Sequence, residues 1–368
     1  MPTDTDPVIV AARRSPLAVR GRGLARVDAG TLGAVVVAAA VADAGAPSIA
    51  DVILGNCTGP GGNLGRIAAL AAGLGIGVPG GTVDRQCGSG LAAIMDAAHA
   101  TRADGRIRVA GGVESASTAP VRVRDGVPYA RAPFAPAGFA DPDMLRAADD
   151  LAAHDGLSRA RQDAYARRSH ARATTGRAEG RFDAEIMPVA GVHRDEGVGA
   201  PAAALARLAP LVDGGTVTAA TSTRIGDGAA AAVVAPAGSA PGLAIRATAV
   251  VGCDSALPGI GAAPAIEAAL AHTGWSLADI PAIELVEAFA AQSIAVLSRL
   301  GLPDDDSRVC ADGGALALGH PWGASGAVAV VRLFSRLVRA GAPAGTLGLA
   351  AASVGGGLGV AAVVEVVR

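Results

Sequence analysis

Two stretches far apart in the chain share one pattern. Ala39–Leu54 reads AAVADAGAPSIADVIL, and Ala268–Leu285 reads AALAHTGWSLADIPAIEL. Each is an apolar-periodic helix, a glycine, a serine, an apolar-Ala-Asp step and an apolar strand. A second pair follows in the same order: CGSGLAAI from Cys87 and GASGAVAV from Gly323. Each is a small-residue turn opening a helix, and each precedes a short strand, IRVAGG from Ile107 and LGLAAA from Leu347. The repetition predicts a duplicated α/β unit, and the alternation of strands and helices predicts a mainly parallel sheet covered on both faces. Residues 1–114 with 216–240 form the first half, and 241–368 the second. Between them, 115–215 is different in kind. It is rich in Arg, Asp and Pro and carries the charged stretch DGLSRARQDAYARRSHARA from Asp155. We read it as an inserted polar domain that covers the site and makes oligomer contacts. A cleft between duplicated halves is a favoured place for a ligand.

Composition narrows the chemistry. The chain has 368 residues, 51% of them hydrophobic, which is ample for a large core. All 31 basic residues are arginine, so no Schiff-base lysine exists. A net charge of −2, with no basic run, argues against nucleic-acid binding. The N-terminus MPTDTDPVIV lacks the basic and apolar regions of a signal peptide. The uncharged stretch Leu347–Val364 contains three consecutive glycines, Gly355–Gly357, and reads as two buried strands around a tight turn rather than a membrane span. Cys57, Cys87, Cys253 and Cys310 lack metal-ligand spacing, so reduced thiols in a cytoplasmic, metal-free protein are expected.

Cys87 sits in DRQCGSGLAA, directly before a helical run. Unpaired N–H groups and the dipole at a helix start favour a thiolate, the nucleophilic form of cysteine. The competing reading is a small buried hydrophobe. His320, between Gly319 and Pro321, is the candidate base. His99, His154, His170, His193 and His272 lie in polar or helical contexts. The turn Gly355–Gly357 can present backbone N–H donors, and with the N–H of Cys87 it would make an oxyanion hole. Glu114 and Glu287 end apolar strands; catalysis and backbone hydrogen bonding both remain open for them. Together these groups suggest acyl transfer through a cysteine thioester.

The sequence resembles the thiolase family, the acyl-CoA acyltransferases. The resemblance runs through VIVAARRSP at Val8, DRQCGSGLAAI at Asp84, AGGVESAS at Ala110 and RQDAYARRSHARA at Arg161. It continues through GTVTA at Gly215, DGAAAAVV at Asp227, VEAFAAQ at Val286, GGALALGHPWGASGA at Gly313 and SVGGGLGVA at Ser353. It implies the thiolase fold: two βαβαβαββ halves in five layers with an inserted loop domain, assembled as a homodimer or homotetramer. It implies Cys87 as nucleophile, His320 as its base, and the N–H groups of Cys87 and Gly355 as the oxyanion hole. No bound cofactor is implied; the substrate would be a coenzyme A thioester or an acyl group on a carrier protein.

Four positions depart from the family pattern. Ser353 stands where the family has its second acid/base cysteine. Val286 replaces the asparagine of Asn-Glu-Ala-Phe, which holds a water beside the enolate oxygen. Met144, implied with Val286 and Thr223 as substrate-binding, lies in Pro142-Asp143-Met144-Leu145, which replaces a His-Met-Gly step of the family. Thr223, in Thr221-Ser222-Thr223-Arg224, stands in the segment lining the pantetheine channel. Acyl-enzyme formation is therefore expected to be intact. The family's thiolysis and Claisen condensation are expected to be impaired or diverged. The alternatives are acyl transfer to a nitrogen, oxygen or sulfur acceptor, and a non-catalytic subunit that binds an active partner.

Overall fold

The computed structural model describes residues 5–129, 131–199 and 207–368. The first half runs β1 (Val8–Arg14), β2 (Ala18–Val19), α1 (Ala29–Asp43), β3 (Asp51–Gly55), α2 (Leu64–Ala71), β4 (Gly80–Val83), α3 (Ser89–Asp104) and β5 (Arg108–Ser115). The inserted segment contributes the hairpin β6 (Arg122–Arg124) and β7 (Val127–Tyr129), then α4 (Met144–His154) and α5 (Arg159–Ala178). β8 (Gly226–Ala235) completes the first half. The second half runs β9 (Gly242–Gly252), α6 (Ala262–Ala271), β10 (Ala282–Leu285), α7 (Ala290–Arg299), α8 (Ala315–Leu318), α9 (Trp322–Phe334), β11 (Leu347–Val354) and β12 (Leu358–Val367).

Ten strands form one sheet in the order β10-β11-β12-β9-β1-β8-β5-β3-β4, with β2 beside β8, and β6 and β7 pair apart from it. In the first half β1 runs antiparallel to β8 and β8 to β5, while β5, β3 and β4 are parallel. The second half repeats this: β9 is antiparallel to β12 and β12 to β11, β11 is parallel to β10, and Val309 bridges Ile283 in parallel. The duplication read from the sequence is present in four strands of each half, with the single bridge at Val309 standing in the place of β4. The expectation of a mainly parallel sheet is corrected, because antiparallel pairs dominate. Helical crossovers keep the outer strands parallel, but β12 returns directly through the turn at Gly355–Gly357, and a direct return reverses a strand.

Alternation along the strands sorts side chains into layers. Ala110, Ala230, Ala232, Ala350, Ala352 and Val354 face a central core with Leu91 and Ile94 of α3 and Val328 and Val331 of α9. Val109, Val113 and Val233 face α1 and α2. Leu349, Ala351 and Val363 face α6 and α7. The result is α-β-α-β-α, five layers. The central helices approach closely because Gly90 has no side chain: a Cβ there would lie 2.9 Å from Ala327 N and Gly323 O. This contact brings the starts of α3 and α9 together, and with them the two Gly-rich motifs.

The inserted segment is tied to both halves by buried charge. Arg14 meets Glu185 and Asp195, each at 2.7 Å, and Arg332 meets Glu185 at 2.5 Å and also Asp312. Phe182 lies between the two guanidinium groups, 5.7 Å from Arg14 and 4.6 Å from Arg332. Pairing of this kind compensates charges that would otherwise be expensive to bury. The stretch Leu347–Val364 lies in β11, a tight turn and β12. Among the described residues no helix is long and apolar enough to cross a membrane.

Candidate active site

Cys87 lies in a single helical turn, Gln86–Gly88, immediately before α3. Gln86 adopts φ +40°, a left-handed conformation that costs a non-glycine residue about 1–3 kcal/mol. The surroundings hold it there. The Gln86 carbonyl accepts from Ser89 Oγ at 2.7 Å and Cys57 Sγ at 3.1 Å, and Ser89 Oγ accepts from Arg85 N at 2.7 Å. His320 follows Gly319, whose φ of +116° suits only glycine, and its backbone N–H donates to Arg224 O at 2.9 Å.

These two turns place His320 Nε2 3.2 Å from Cys87 Sγ. His320 Nδ1 lies 2.6 Å from Ser325 Oγ. Backbone hydrogen bonding from Cys87 and Gly355 favours the thiolate. Val354, beneath Gly88, seats the end of β11 so that Gly355 reaches it. Burial pushes the Cys87 thiol up to about 12 against that hydrogen bonding, and Glu114 and Asp84 add to the rise. Burial alone pushes His320 down to about 4. Both shifts favour the neutral pair, thiol and imidazole, over thiolate and imidazolium. The thiolate expected from the helix start is disfavoured, since loss of solvation outweighs the N–H donors.

Glu114 and Glu287 resolve as structural groups. The Glu114 carboxylate accepts from Gly323 N at 3.0 Å and from Asn56 Nδ2, Cys57 N and Thr58 N, each at 3.1 Å, as well as from Thr58 Oγ1. It clamps the start of α9 to the loop after β3. Glu287 accepts from Tyr165 OH at 3.0 Å and Ser169 Oγ at 2.7 Å, anchoring α5 to the second half.

Ser353, at the position of the family's second acid/base cysteine, donates its hydroxyl to Gly259 O at 2.6 Å and accepts from Ala262 N at 3.0 Å, tying β11 to the start of α6. Val286 is buried in the central core. Thr223 donates its hydroxyl to Ala315 O at 2.6 Å, and its N–H to Ala288 O at 2.9 Å, so it braces the loops around the site. Met144 opens α4, half-buried; α4 reaches the site region through Leu151, which packs at Gly259. Cys310 is fully buried and donates to Leu285 O at 3.3 Å. Cys57 lies beside the nucleophile's own turn.

Two neighbours were not singled out from the sequence. Ser325 was in plain view, five residues after His320 in GHPWGASG, but only the turn of α9 folds it back onto the ring. Phe134 had no signal: a Cβ on Gly355 would lie 2.7 Å from its ring, and Arg131 caps that ring at 4.6 Å while pairing with Asp141 at 2.8 Å.

A cysteine thiol facing a histidine is the pairing a cysteine acyltransferase uses. Residues 7–238 match the thiolase N-terminal domain and residues 240–366 the thiolase C-terminal domain. The chain is 39% identical to an acetyl-CoA acetyltransferase of Cupriavidus necator, over 98% of this chain and 99% of that protein. It superposes on the crystal structure of the Bacillus anthracis acetyl-CoA acetyltransferase with a TM-score of 0.89 and 35% identity, covering 99% of each chain. The chain belongs to the thiolase family, and it is an acyltransferase.

Proposed function

We propose that the enzyme takes an acyl group from a coenzyme A thioester onto Cys87. The observation that carries this reading is the 3.2 Å approach of His320 Nε2 to Cys87 Sγ. As Sγ attacks the thioester carbonyl, His320 takes the thiol proton. The new C–S bond forms while the carbonyl oxygen becomes an oxyanion held by the N–H groups of Cys87 and Gly355. Collapse breaks the bond to coenzyme A, whose sulfur leaves with the proton from His320. The donor is coenzyme A or a pantetheine arm on a carrier protein, since both present this thioester. The relatives' names, acetyl-CoA acetyltransferase, support coenzyme A and a short acyl group.

The second half of the reaction is diverged. Condensation needs a base for the α-proton and a polar group for the enolate oxygen. Ser353 is tied to backbone and Val286 is apolar and buried, so neither supplies these. Delivery of the acyl group to a nitrogen, oxygen or sulfur acceptor needs no carbanion and suits this site better. The inserted segment 115–215 covers the site. The enzyme works in the cytoplasm as a homodimer or homotetramer; β4, the last strand of the sheet, offers an open edge to a second copy.

Intact-protein mass spectrometry after incubation with a panel of acyl-coenzyme A and acyl-carrier thioesters tests the reading. A single acyl adduct on Cys87, absent in Cys87→Ala, is expected. No adduct with any donor refutes it.

A further inference from the structure

We propose that Ser325 is a positioning residue that fixes the tautomer of His320, holding the proton on Nδ1 and leaving Nε2 bare toward Cys87. The inference rests on the reading of Cys87 as nucleophile and adds a third member to the pair.

The ring of His320 is buried, and each nitrogen faces one side-chain atom: Nδ1 faces Ser325 Oγ at 2.6 Å, and Nε2 faces Cys87 Sγ at 3.2 Å. A neutral imidazole carries one proton, so one nitrogen donates and the other accepts. Two observations say which. Ser325 Oγ also lies 3.1 Å from Pro321 O, and a carbonyl only accepts. The single hydroxyl hydrogen goes to Pro321 O, and the free lone pair of Oγ takes a hydrogen from Nδ1. On the other side, Nε2 is the side-chain atom facing Sγ at 3.2 Å, and a bare Nε2 accepts the thiol hydrogen there, whereas an N–H would set two hydrogens against each other. Both ends of the ring therefore demand the same tautomer.

The arrangement follows from local sequence. Ser325 lies in the first turn of α9, where its hydroxyl bonds back to the carbonyl four residues earlier. That bond turns Oγ toward the ring that precedes the helix. Its partner is a neutral hydroxyl rather than a carboxylate. It orients the base without an extra charge to hold the imidazolium, so the proton taken from Cys87 passes on readily to the leaving thiolate. Beside Ser325 lies a cavity of about 30 Å³, also lined by Val286 and Arg332, with room for one further methyl group.

The test uses the full-length enzyme labelled with ¹⁵N-histidine, with the His320 signals assigned by their loss in His320→Gln. In the unmodified protein Nδ1 should be the protonated nitrogen. In Ser325→Ala the proton should move in part to Nε2, and single-turnover acylation of Cys87 by acetyl-coenzyme A should slow roughly tenfold to a hundredfold, the low end of a general base's contribution. Ser325→Thr keeps the hydroxyl, uses the cavity for its methyl, and should restore both readouts. Protonated Nε2 in the unmodified protein overturns the proposal without reference to any variant. So does an unchanged tautomer and rate in Ser325→Ala. If the unmodified protein fails to acylate with any donor, the proposed function falls, while the tautomer measurement still decides the role of Ser325.

Discussion

The protonation state of Cys87 can be read from how fast it alkylates as pH is varied. Burial holds the thiol near 12 against an ordinary 9.0. At pH 7.5 a thiol of 9.0 is ionised to about 3%, and one near 12 to about 3 parts in 10⁵, so Cys87 should meet iodoacetamide roughly a thousandfold more slowly than an exposed cysteine. The sign is that of a raised acid: the thiolate fraction climbs tenfold for each unit of pH, with no levelling until far above neutrality. Timed labelling followed by peptide mapping, from pH 6 to 10, measures this slope directly. The same protein should acylate quickly with a thioester at pH 7.5, because His320 removes the proton during attack. His320→Ala should leave the alkylation slope alone and slow acylation by about 10²–10⁴-fold. A pH-independent plateau of alkylation between pH 5 and 8 would refute the reasoning, since it is the signature of a preformed thiolate–imidazolium pair.

Three further outcomes follow from the packing and the polar contacts. Gly355→Ala should slow acylation, because its Cβ would meet the Phe134 ring at 2.7 Å and displace the Gly355 N–H; adding Phe134→Ala should recover much of the loss in the same assay. Ser353→Cys with Val286→Asn should raise condensation of two acetyl thioesters above either single change while leaving Cys87 acylation unaltered; efficient condensation by the unmodified enzyme would show that another group supplies the base. His170 is buried with Nδ1 unpartnered, and burial, with Arg224, holds it near 4 rather than 6.5. The unfolded chain binds its proton more readily, so its contribution to stability is whole above pH 6.5 and is lost as pH falls toward 4. His170→Gln should flatten the fall of the urea midpoint across that window, and an identical fall in both proteins would count against it.

Some of this was legible in the residues alone. The duplication was visible because both halves need the same small-residue turn where α3 and α9 cross, and glycine there is a packing requirement that leaves a mark in sequence. Cys87, His320 and Gly355 could be brought together for that reason. Strand direction was less legible, because an apolar run looks the same whichever way its neighbour points. The charge state of Cys87 is not legible from position: a helix start favours an anion, but desolvation opposes it, and it depends on neighbours such as His320 that lie far along the chain. The bonds of Ser353 were hidden for the same reason, since Gly259 and Ala262 lie some ninety residues away.

The buried ion pairs that lock the inserted segment are all guanidinium pairs, and guanidinium serves elsewhere too, because the chain has no lysine. A guanidinium stays protonated and presents no lone pair, whereas a fraction of any exposed lysine is a free amine ready to be acylated. An enzyme that handles activated thioesters bathes its own surface in an acylating reagent. This one offers that reagent no side-chain amine to attack, so neither its folded surface nor its internal charge lattice can be acylated at lysine.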